Sequence, residues 1–104
     1  CIRDLHLFRR ARVERQAGRL FVTAPLIMDN ARSLLEAGRA ALQAGEQIID
    51  LGQVVEADSS ALAVMLGWMR AASLSRSTIK FANIPVGVCS LAELYGVADL
   101  LPLA

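Results

Sequence analysis

The chain has 104 residues, with 11 Lys plus Arg against 10 Asp plus Glu, 55% hydrophobic and 20% charged residues. That length supports one domain, the apolar content excludes a disordered chain, and the near-zero net charge excludes a nucleic-acid binder driven by overall charge. Two cysteines, Cys1 and Cys89, are too few for a disulfide framework and lack metal-ligand spacing, so a reducing compartment is expected.

The charge is unevenly placed. Arg3, Arg9, Arg10, Arg12, Arg15 and Arg19 stand against Asp4 and Glu14, a net +4 over the first nineteen residues, while the remainder carries five basic and eight acidic groups. Residues 1–10 read as a leader, disordered or an added strand, and residues 11–104 as the folded domain. The plain reading of the leader is a solvated segment; the other is a basic arm on anionic lipid or nucleic acid. No apolar run reaches the length of about 18 residues that spans a bilayer, and no signal-peptide pattern is legible.

Short β-favouring stretches predict a hairpin over residues 10–16 and 19–23, turning at Ala17 and Gly18. Pro25 breaks the pattern, and from Asp29 the spacing turns helical. Ala31, Leu34, Leu35, Ala41 and Leu42 fall on one face and Arg32, Glu36, Arg39 and Gln43 on the other, with Asp29 as the expected cap and Gly45 as the stop. Residues 47–51, centred on Ile48 and Ile49, read as a buried strand, and residues 52–57 as a connection. A second helix is expected from Ser59 to about Leu74, a strand over 78–82, a third helix over 87–95 closed by Gly96, and an apolar tail over 100–103. The order ββαβαβα predicts an α/β fold, a small mixed four-stranded sheet with helices packed on it.

The chemistry concentrates where the buried strand leads into the second helix. Asp58, Ser59 and Ser60 stand at a helix start, where unpaired N–H groups and a partial positive charge favour an acid or a phosphate; a cap at Asp58 or Ser59 explains the same residues more simply. The helix then carries no charge until Arg70. Leu62, Met65, Leu66 and Met69 lie on one side, and Ala61, Val64, Trp68, Ala71 and Ala72 toward the other. If only one side meets the sheet, Trp68 or the Met pair is left partly wet and marks a partner site; if the first and third helices cover both flanks, this helix is simply central.

Catalytic machinery does not assemble. His6 is the one histidine and lies in the leader, so Ser59 has no evident base to make it a hydrolase nucleophile. Asp50, Glu56 and Asp58 could gather round a divalent ion only if the strand alternation pointed Asp50 toward the other two, so neither metal nor cofactor is expected. Cys89 is expected to be a small buried apolar residue.

The stretch IIDLGQVVEADSSALAVMLGWM resembles the core of STAS domains, shared by anti-sigma factor antagonists and sulfate-transporter tails. The ending CSLAELYGVADLLPL resembles the MlaB-like branch, small STAS proteins accompanying a phospholipid-transporting ABC system. The likeness covers residues 11–104. It implies a non-catalytic cytoplasmic subunit, peripheral to the inner membrane, that docks on an MlaF-like ABC ATPase and indirectly on its permease. Asp58 and Ser59 match the helix-opening pair of the family, and with Ser60, Ala61, Val64 and Trp68 form the implied partner surface. In partner-switching relatives the hydroxyl at Ser59 is phosphorylated, which implies the alternative of an anti-sigma factor antagonist facing a kinase. Ala61 stands where many antagonists have Gly, and Pro25 and Leu26 replace the Gly-x-Leu-Asp wording of the first loop.

Overall fold

A computed structural model describes residues 13–104, so the leader and the first residues of the expected hairpin lie outside the described residues. Strands β1 (Val13–Gln16) and β2 (Arg19–Val22) form the predicted hairpin. Its two-residue turn needs positive φ at both positions, and Ala17 (φ 51°) and Gly18 (φ 79°) supply it. Helix α1 (Met28–Ala41), strand β3 (Gly45–Asp50), helix α2 (Ser60–Leu74), strand β4 (Ser77–Ala82), helix α3 (Val86–Leu94) and a 3-10 turn (Ala98–Leu100) follow.

The sheet order is β1-β2-β3-β4, antiparallel in the hairpin and parallel for β2 with β3 and β3 with β4. Helical crossovers impose that parallel pairing, as the alternation of elements predicts. After the 3-10 turn the apolar tail returns to the sheet: Phe81 donates to the Pro102 carbonyl at 2.8 Å and accepts from Ala104 N–H at 2.9 Å, covering the end of β4's outer edge.

Alternation along the strands separates two faces. Leu20, Val22, Ile49, Ile79 and Phe81 join one buried cluster with Leu34 of α1, Val88 and Ala92 of α3, and Ala61, Leu62, Val64, Met65, Trp68 and Ala72 of α2. The opposite face carries ion pairs, Arg19 with Asp50 at 2.8 Å and Lys80 with Glu46 at 3.1 Å. Asp50 is buried there, accepting also from Gly52 N–H at 2.8 Å and from the Asn83 amide at 3.1 Å. Burial pushes its carboxyl upward, but these donors and the Arg19 guanidinium outweigh that and hold it below the usual range.

Two expectations change in the helices. Trp68 and Met65 are fully buried rather than partly wet, while Met69 is half-buried, and α1 covers Trp68. The indole N–H of Trp68 donates to the carbonyls of Leu34 (3.1 Å) and Leu35 (3.2 Å), and the ring fits against α1 only because Gly38 has no side chain. Cys89 is exposed rather than buried, since the inward positions of the short α3 are taken by Val88 and Ala92.

Candidate functional site

The loops following β2, β3 and β4 meet at one end of the sheet, where parallel strands deliver their C-termini and helices begin. Loops 23–27 and 51–59 are joined by a one-residue parallel bridge: Leu26 N–H donates to the Glu56 carbonyl at 2.9 Å, and Asp58 N–H to the Leu26 carbonyl at 3.0 Å. That bridge sets the Asp58 side chain between two helix starts. Its Oδ2 accepts from Met28 N–H of α1 at 3.1 Å and its Oδ1 from Ser60 N–H of α2 at 2.8 Å. One carboxylate thus satisfies orphan donors of both helices, a position favoured by both helix dipoles. The Met28 bond, then the Ser60 bond, hold its pKa below the usual carboxylate range.

Asp29, expected to cap α1, instead lies in its first turn, with Ile27 as the flanking residue and no side-chain cap of its own. The capping acceptor comes from Asp58, thirty residues away in sequence. At α2 the division of labour is also clear. Ser59 flanks the helix in helical geometry (φ −62°, ψ −18°) with no side-chain capping bond, so Asp58 caps and the Ser59 hydroxyl remains exposed.

Around this start lies a shallow cleft of about 220 Å³ lined by Ile27, Met28, Asp29, Glu56, Ala57 and Asp58. Met28 (74% exposed) and Val55 (93% exposed) project apolar surface beside it. Residues 20–31 and 51–69 contain no Lys or Arg. The surface is therefore apolar with a carboxylate fringe, suited to holding a partner.

Of the residues implied as a partner surface, Asp58, Ser59 and Ser60 are brought together at this end, Ser59 exposed and the other two half-buried. Ala61, Val64 and Trp68 are buried in the core, under α1 and the sheet, and present no surface. Sequence reasoning missed Met28 and Val55; Pro25 and the loop composition signalled a turn there but not which side chains it would expose. Asp50 faces the side of the sheet opposite α1 and α2, away from Asp58, and among the described residues no cluster of three His, Cys, Asp or Glu could hold a metal ion. No helix of the described residues is long and apolar enough to cross a membrane.

A family model described as "Mlab, STAS domain" matches residues 10–102. Among solved structures, a putative anti-sigma factor antagonist from Thermotoga maritima is similar, with 13% identity over 94% of this chain and 88% of that one and a TM-score of 0.70. An anti-sigma-factor antagonist (STAS) domain protein from Planctomyces limnophilus has 14% identity over 88% of this chain and 86% of that one, with a TM-score of 0.67. At these identities the likeness is one of fold. No curated protein matches the chain.

Proposed function

The chain belongs to the Mlab-type STAS domain family, and we propose that it is a non-catalytic protein-binding subunit that docks on the ATPase of a phospholipid-transport ABC complex. It lies in the cytoplasm, held at the inner membrane through that complex, and contacts the permease only indirectly. The observation that supports this reading is the exposed Ser59, freed from capping by Asp58 and set beside the apolar Met28 and Val55. A ligand of this kind acts by binding one conformational or assembly state of the ATPase better than another.

The test is binding to the ABC-type ATPase of the same organism. Ser59→Ala is expected to bind as the wild type does, whereas Ser59→Glu and Ser59→Arg place a charge at a packed contact and weaken binding about tenfold or more, roughly 1.4 kcal/mol. Retained binding by both charged variants refutes this reading.

A second reading is favoured by the same free hydroxyl and by the names of the two structural relatives, which describe anti-sigma factor antagonists. Here phosphorylation of Ser59 adds about −1.5 to −2 charge beside Asp58 and Glu56 and releases the partner. Intact-mass measurement after incubation with the cognate anti-sigma kinase separates the two, since no phosphate on Ser59 counts against the second.

A further inference from the structure

At the opposite ends of α1 and α2 from Ser59 the two helices leave an open groove. It consists of two adjoining hollows of about 330 and 350 Å³ that share Arg39, Ala71 and Leu74. Gly67 and Ala71 keep its floor low, and Leu74 stands 81% exposed at its end. Residues 32–41 and 67–76 carry Arg32, Arg39, Arg70 and Arg76 against the single acid Glu36. Among the described residues Glu36 pairs with Arg39 alone, at 3.5 Å, and the other three arginines form no ion pair.

The complement of this surface is carried by the same chain. Residues 81–104 contain no Lys or Arg, and their two carboxylates, Glu93 and Asp99, line one shallow hollow with Gly96 and Ala98. Leu94 (75% exposed), Tyr95 and Leu100, next to these residues in the chain, are exposed as well. One patch is thus apolar with a basic rim and the other apolar with an acidic rim. Charge complementarity of this kind selects a partner and fixes its register, while the apolar groups supply the burial.

The geometry points to a second copy of this chain as the occupant of the α1/α2 groove, seated through the α3 and 3-10 turn patch. The groove lies at the far end of α2 from Ser59, about 20 Å along a fifteen-residue helix. Self-association and binding at Ser59 are therefore compatible, and neither depends on the other. Two copies related by a two-fold axis close the contact; a head-to-tail arrangement extends it.

Sedimentation equilibrium of the full chain, from micromolar to submillimolar concentration, tests this. The weight-average mass is expected to rise above the 11.2 kDa of one copy, and to fall back as salt screens the charged rims. Arg70→Glu and the double substitution Glu93→Arg with Asp99→Arg are each expected to weaken self-association about tenfold or more, and mixing the two variants to restore a complex, because each keeps the patch the other lacks. Leu94→Asp is a second probe of the acidic patch, and circular dichroism confirms folding of each variant. A single-copy mass at every concentration overturns the proposal, as does association unchanged in all three variants.

Discussion

Replacing Gly38 by Ala adds one methyl group where α1 lies against the Trp68 indole of α2. The new Cβ would stand 2.1 Å from Trp68 Nε1 and 2.5 Å from its Cε2, so the indole must move. Trp68 is fully buried and its N–H is shared between two α1 carbonyls, so displacement strains the core and leaves a buried donor without a partner. Overpacking costs about 1–3 kcal/mol and an unsatisfied buried donor about 1–3 kcal/mol, while Ala regains about 1 kcal/mol of helix propensity. The expected net loss is about 3 kcal/mol, or roughly 12–24 °C in Tm for a domain of this size. Trp68 is the one tryptophan of the chain, so its emission during urea unfolding reports both stability and the local environment. Gly67→Ala is the control: its Cβ meets chiefly the Cδ1 of Leu35 at 2.7 Å, the far end of a flexible side chain, and a change within about 1 kcal/mol is expected. In a Trp68→Phe background, which lacks the indole nitrogen, the cost of Gly38→Ala should shrink by more than half. A Gly38→Ala protein as stable as the wild type, with unchanged emission, refutes the account of how α1 and α2 meet.

Two further predictions concern the carboxylates. Asp50→Ala leaves the Arg19 guanidinium, the Asn83 amide and Gly52 N–H without their shared acceptor. Breaking a buried pair costs about 3–5 kcal/mol, and because the Arg19 side chain is 39% exposed the expected loss is about 2–3 kcal/mol by denaturant titration; a loss below about 1 kcal/mol contradicts the network. Asp58 and Asp50 both have folded-state pKa values below the unfolded value near 3.8. Their contributions are therefore complete above that value and disappear as pH falls through the depressed folded values. Unfolding midpoints measured from pH 6 down to about pH 2 should fall most steeply below the ordinary carboxylate range, and less steeply in Asp58→Asn. An identical acid dependence in that variant contradicts the clip on the two helix starts.

Element order was legible because each element carries its own period. The short apolar β-branched run at Ile48 and Ile49, the alternation around Ile79 and the helical spacing from Asp29 need no tertiary information. The hairpin was legible because its turn falls at Ala17 and Gly18. What escaped depends on partners remote in the chain. Capping rules consider only neighbouring side chains, so Asp29 was the natural choice for α1, whereas the acceptor comes from Asp58. The apolar content of α2 was plain, but which flank is covered depends on the notch that Gly38 makes for Trp68, a fit between positions thirty residues apart. For the same reason Ala61, Val64 and Trp68 read as surface while Met28 and Val55 did not: hydrophobicity alone does not distinguish a core side chain from one that awaits a partner.

The shared acceptor at Asp58 has a mechanical consequence. Since one rigid carboxylate grips Met28 N–H and Ser60 N–H together, α1 and α2 cannot rotate or slide independently at that end without breaking a bond. The same two helices also meet where Trp68 packs on Gly38, so they are held at two places, the Asp58 joint and the indole contact. Moving one helix start relative to the other therefore requires that an Asp58 bond break first.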